Sequence, residues 1–140
     1  MFITKECDYG IRIVRALATG TKKTVKTIAT EELIPYKFAS KIISKLEHAN
    51  YVKSARGSSG GYQLIRPLNT LTLADIIIAI DTNRCVSKCL HNESDCTFKG
   101  PQKERCSVHR EFARAQYIVM EALSSKTMDM ILYGAPQTAS

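Results

Sequence analysis

Arg56-Gly57-Ser58-Ser59-Gly60-Gly61-Tyr62-Gln63-Leu64 is the stretch on which the reading of the whole chain turns. Its three glycines predict a tight turn between two short strands, Tyr51 to Ala55 and Gly61 to Ile65. Glycine tolerates positive φ, and its missing side chain lets the backbone come close to another surface. An arginine at the mouth of such a turn suits a narrow, negatively charged groove. Upstream, apolar spacing predicts helices over about Lys5 to Ala18, Val25 to Glu32 and Tyr36 to Ala49. Helix, helix, helix, strand, glycine turn, strand is the order of a winged helix-turn-helix domain, mostly α with a small β-wing.

The helix before the wing follows the breaker Ile34-Pro35 and divides into two faces. Phe38, Ala39, Ile42, Ile43 and Leu46 share one arc, while Lys37, Ser40, Lys41, Ser44 and His48 occupy the other. An apolar back with a basic, small-polar front is what a major groove accepts, since the groove admits one helix. Lys37, Ser40, Lys41 and Ser44 are therefore candidate groove contacts, with Arg56, Ser58 and Gly60 on the wing reaching the adjacent minor groove. In the first helix Cys7, Ile11, Val14 and Ala18 share a face, and Asp8, Arg12 and Arg15 another. Cys7 should be buried and Asp8 exposed.

Charge follows the same division. Of a formal net charge of +7, the whole excess lies in residues 1–67, which hold 12 basic and 5 acidic residues; residues 68–140 hold 8 of each. Neutralising phosphates releases counterions, so this asymmetry points to a polyanionic partner, which together with the wing is expected to be double-stranded DNA. The longest apolar run, Ile76 to Ile80, is far too short to span a membrane. The opening residues lack a signal-peptide layout, so the expected location is the cytoplasm.

Beyond the wing, Thr72 and Asp75 form a start signal for an apolar helix over Leu73 to Ile80. Residues 81–106 show no sustained periodicity and carry four of the five cysteines; a segment this long inside a small protein usually has a functional reason. A last long helix, about Ser107 to Ser125, is apolar nearly all round from Tyr117 to Leu123. Such a surface needs cover, most simply from a second copy of the same helix. The organisation expected is a DNA-binding domain over 1–80, a cysteine-rich segment over 81–106, a dimerisation region over 107–133 and a frayed tail over 134–140.

Cys85, Cys89, Cys96 and Cys106 fall in or beside one segment, with His109 three residues after the last. Only Cys85 and Cys89 are spaced like a zinc-ribbon pair. The wider gaps favour an iron–sulfur cluster, with zinc or free and redox-paired thiols as the alternatives. Cys7, alone on an apolar helix face, reads as a small core residue.

The chain resembles the Rrf-type family of bacterial winged-helix regulators over nearly its full length. The resemblance is carried by Thr4-Lys5-x-x-Asp8-Tyr9-Gly10, by Ser54-Ala55-Arg56-Gly57 followed by Gly60-Gly61-Tyr62-x-Leu64, by Leu71-Thr72-Leu73, and by late cysteines ending in Cys106-x-x-His109. It implies a homodimeric repressor or activator on a palindromic operator, with an iron–sulfur cluster held by Cys89, Cys96 and Cys106. The fourth ligand in relatives is an acidic residue from the other protomer or a histidine after the last cysteine. Here these correspond to Asp8 of the partner subunit, placed first because the wheel leaves it exposed, or His109. Cys85 is surplus to the family pattern and is an alternative ligand or a resolving thiol. Ser40 and Lys41 fall where relatives read bases. The competing functions are a cluster-free regulator sensing through thiols or a protein partner, and a small redox protein; the latter leaves the wing and the basic half without a role. No nucleophile–base pair or phosphate loop is readable, so an enzyme is not expected.

Overall fold

The computed structural model describes residues 3–91 and 106–134. Helix α1 (Lys5–Leu17) begins where the Thr4 hydroxyl accepts the Cys7 N–H at 3.3 Å. Thr24 caps α2 (Val25–Glu31) in the same way. Pro35, with no N–H to leave unpaired, precedes α3 (Tyr36–His48). The turn between α2 and α3 holds Leu33 in the left-handed region, φ 55°, with its side chain 83% exposed. Ile34 beside it is buried.

At the end of α3, Asn50 takes φ 61° and the Tyr51 N–H reaches the Leu46 carbonyl at 3.0 Å, turning the chain into β1 (Val52–Ala55). Strand β2 (Gly61–Leu64) pairs antiparallel with it, Val52 opposite Leu64 and Ala55 opposite Gly61, leaving 56–60 as the wing turn. The far edge of β2 is also paired. Tyr62 exchanges backbone hydrogen bonds of 3.0 and 2.7 Å with Lys23, in a segment whose sequence reads only as a turn. Gly61 makes this possible: its φ is +147°, and a Cβ there would sit 2.8 Å from the Lys23 carbonyl carbon.

The capping box predicted for α4 (Leu73–Ile80) is formed. Asp75 Oδ2 accepts from the Thr72 N–H at 2.9 Å, and the Asp75 N–H donates to the Thr72 hydroxyl at 3.2 Å. The core gathers Ile13 and Leu17 of α1, Ile28 of α2, Ile42, Ile43 and Leu46 of α3, Val52, Leu71, and Ile76 and Ile77 of α4, all fully buried. Each such side chain contributes roughly 1.5–3 kcal/mol by burial. Cys7 is buried as expected, but the phase read for α1 needs correction: Ile11 and Ala18 are only half-buried. Because α1 packs on both α3 and α4, its buried arc is wide and centres on Ile13 and Leu17. Phe38 is likewise at the margin of its arc, 45% exposed and tilted against the Tyr9 ring.

Helix α5 (Ser107–Ser124) leaves the core along α4 and buries none of its residues fully. The chain then returns. Thr127 pairs with Thr72, the Met128 N–H donates to the Leu71 carbonyl at 2.7 Å, and Met128 is buried at the start of α6 (Met128–Tyr133). The stretch expected to be one dimerisation region thus comprises an outlying helix and a short one docked on the winged-helix core. Residues 135–140 of the expected tail lie outside the described residues.

Candidate functional site

The outer face of α3 carries Lys37, Lys41 and Ser44 exposed and Ser40 half-buried. The Ser44 hydroxyl is turned onto the helix's own Ser40 carbonyl at 3.1 Å. Arg56 and Ser58 stand exposed on the wing, on the same stretch of chain that Glu47 fastens to α3. Glu47 Oε1 accepts from the Ser54 N–H at 3.2 Å and from its hydroxyl at 2.9 Å, which fixes the base of the wing against the helix. Gly60 is required by the wing itself: a Cβ there would lie 2.6 Å from the Ala55 carbonyl oxygen.

Lys41 is not free on this surface. Its ammonium donates to Glu6 Oε1 at 2.6 Å, while Lys45 donates to Glu6 Oε2 at 2.9 Å and to the Ile80 carbonyl at 2.8 Å. The hydrogen bond from Lys41, then that from Lys45, holds the Glu6 carboxyl below its ordinary range. By sequence Glu6 reads only as an acidic residue in a helix's first turn, so its part in this surface had no local signal.

The described cysteines outside the core lie on or against α5. The Cys106 sulfur caps that helix, accepting the His109 N–H at 3.4 Å, so one helical turn brings these two residues together. His109 Nδ1 is buried and has no hydrogen-bond partner among the described residues. The segment read as lacking regular structure contains a 3-10 turn, Lys88–Leu90, which packs on α5 and carries half-buried Cys89. The Ser87 hydroxyl is 3.3 Å from the Cys89 sulfur. Cys85 sits between two backbone groups held by one side chain: Gln116 accepts the Val86 N–H at 2.8 Å and donates to the Arg84 carbonyl at 3.2 Å. Nothing in the periodicity marks Gln116, a lone amide in an apolar stretch. Asp8, half-exposed on α1, pairs with Arg12 at 2.9 Å. Cys96 lies outside the described residues. Among the described residues no three His, Cys, Asp or Glu side chains come together as a metal site.

A winged helix with exposed lysines on the outer face of α3 and a thiol-bearing segment against an outlying helix has counterparts among known proteins. The Rrf2 family profile, described as an iron-dependent transcriptional regulator, matches residues 3–134. The chain belongs to the Rrf2 family. Among its relatives, protein aau3 of Rhizobium meliloti is 27% identical over 140 residues, covering 98% of this chain and 88% of that protein. The structure of IscR from T. potens is similar with a TM-score of 0.74 at 21% identity, covering all of this chain and 92% of that one. CymR, the global cysteine regulator of B. subtilis, matches with a TM-score of 0.71 at 23% identity, covering 97% and 99%. These likenesses establish the mostly helical winged-helix fold, and Rrf2 membership makes the chain a DNA-binding transcriptional regulator from a family of regulators rather than enzymes. Among the described residues no helix is long and apolar enough to cross a membrane.

Proposed function

We propose that this Rrf2-family protein is a cytoplasmic, homodimeric regulator that binds a palindromic operator and is switched by an iron–sulfur cluster. Cys89, Cys96 and Cys106 would hold the cluster, with Asp8 of the partner subunit or His109 as fourth ligand. The observation that carries this reading is the Cys106–His109 pair at the start of α5: the half-buried Cys106 sulfur accepts the His109 backbone N–H, and His109 Nδ1 is buried with no hydrogen-bond partner among the described residues. Soft sulfur and an imidazole form a donor set that suits iron. When bound, such a cluster supplies an iron centre whose labile, non-thiolate corner an oxidant or nitric oxide can attack.

The protein's own residues do the rest. Lys37 would neutralise a phosphate, and so would Lys41, although it falls where relatives read bases; Ser40 and Ser44 would face base edges, and Arg56 and Ser58 would enter the minor groove. The apolar residues exposed on α5, Val108, Phe112, Tyr117 and Ile118, would be covered by the same helix of a second copy, setting the distance between two reading helices. Since α5 also carries Cys106 and holds the Cys85 segment through Gln116, a change at the thiols reaches that distance through α5. A small change in half-site spacing costs much affinity.

A cluster-free thiol sensor is the second reading, favoured by the hydroxyl contact at Cys89 and by the likeness to a cysteine regulator. Purification without oxygen separates the two. The cluster reading expects coloured protein with iron and acid-labile sulfide, lost in Cys89→Ser, Cys96→Ser and Cys106→Ser while the fold persists. Colourless, metal-free wild type that still answers to thiol oxidation supports the second.

A further inference from the structure

We infer that Glu6, anchored by Lys45, acts as an internal substitute for a DNA phosphate, occupying Lys41 until a duplex takes that lysine from it. The inference rests on α3 being the helix that meets DNA. Glu6 reaches from α1 to two successive turns of α3 and takes one ammonium on each carboxylate oxygen, at 2.6 and 2.9 Å. A phosphate oxygen pair would offer the same two acceptors. The arrangement is built rather than incidental, because Lys45 is also tied to the last carbonyl of α4, at 2.8 Å from Ile80, where the helix dipole is negative. Lys45 is thereby fixed, and it fixes Glu6 in turn. Lys41, with its side chain 56% exposed on the outer face, is the member that DNA can take.

Formation of a phosphate contact by Lys41 then requires the Glu6 pair to open, and leaves a carboxylate beside the phosphate backbone. Both effects hold back binding to any duplex alike, since phosphate contacts carry no base information. An exposed ion pair shifts such an equilibrium by up to about fivefold. For a chain whose first 67 residues hold 12 basic and 5 acidic residues, that restraint falls on sequence-independent binding and leaves base contacts a larger share of the total.

The test titrates the full-length protein against a duplex selected from a random pool and against an unrelated duplex, across salt concentrations. Glu6→Gln should tighten both by roughly three- to fivefold. Lys41→Ala should cost less than about threefold in the wild-type background and more in the Glu6→Gln background, so that the double variant loses the gain. A tenfold loss from Lys41→Ala alone would overturn the inference, even should Glu6→Gln fail to fold, because Lys41 would then be fully committed to DNA despite Glu6. Unchanged or weaker binding by a folded Glu6→Gln protein would overturn it too, making Glu6 a structural residue. Wild type that binds neither duplex fails the DNA-binding reading itself, an outcome distinct from both.

Discussion

Gln116 Oε1 accepts the backbone N–H of Val86 at 2.8 Å, joining the outlying helix α5 to the segment that carries Cys85 and Cys89. With its amide nitrogen on the Arg84 carbonyl at 3.2 Å, the same side chain holds the backbone on both sides of Cys85. Gln116→Leu keeps the approximate volume and removes both bonds, at a local cost of roughly 1–3 kcal/mol for the groups left unpaired. Hydrogen exchange at the Val86 amide should quicken by at least about tenfold, the equivalent of ~1.4 kcal/mol. Alkylation of Cys85 should quicken with it, while α1 to α4 keep their protection. Unchanged exchange at Val86 would remove Gln116 as the link.

Leu33 shares the left-handed region with Asn50 but lacks a short polar side chain that suits it, holding φ 55° in the turn between α2 and α3 with little of its side chain packed. The left-handed region costs a non-glycine residue about 1–2 kcal/mol, whereas glycine enters it freely. After glycine's own entropic cost, Leu33→Gly should stabilise the fold by roughly 0.5–1 kcal/mol. Urea denaturation at equilibrium measures this; a loss of stability would show that Leu33 contributes packing the exposure does not reveal.

The sequence carried the local features well and the long-range ones hardly at all. Helices α1, α3 and α4 lie within a residue or two of their predicted bounds, because Thr4, Pro35 and the Thr72–Asp75 box punctuate clear apolar periods. The wing was legible because its glycines answer a local backbone demand. By contrast, the Lys23–Tyr62 pairing joins residues far apart in the chain and is permitted by Gly61 rather than signalled at Lys23. The return of the chain at Met128 hangs on one apolar side chain and one backbone bond to Leu71. At the candidate site, the exposure of Lys37 and Arg56 follows from helix phase and turn position. The capture of Lys41 by Glu6, 35 positions away, does not.

On the wing, Arg56 is exposed and reaches into solvent from a turn braced by Glu47 and Lys23. Arg56→Ala should weaken binding to a selected duplex by roughly 1–3 kcal/mol, with the fold unchanged. Lys37→Ala should instead lower affinity for all duplexes and reduce the salt slope by about one unit. Titrations at several salt concentrations distinguish the two behaviours, and an Arg56→Ala protein with wild-type affinity would take the wing out of recognition.

Ile118, half exposed midway along α5, is the test of assembly. Ile118→Glu places a charge in the face that a second copy would cover, a site where an unpaired buried charge is strongly destabilising. Sedimentation should show a dimer for the wild type and a monomer for the variant, and the variant should lose operator binding because two half-sites are read together. A monomeric wild type at micromolar concentration would contradict the dimer.

The central claim, that a cluster at the α5 thiols governs DNA binding, is tested most directly on a single anaerobic preparation. Its affinity for a selected duplex is measured before and after removal of iron, with iron and sulfide counted in both samples. The account predicts iron and acid-labile sulfide in the first sample and an affinity change of at least about tenfold, ~1.4 kcal/mol, on removal. The change should be absent in Cys106→Ser. Equal affinity with and without a bound cluster, or wild type that holds no iron and sulfide at all, would contradict it.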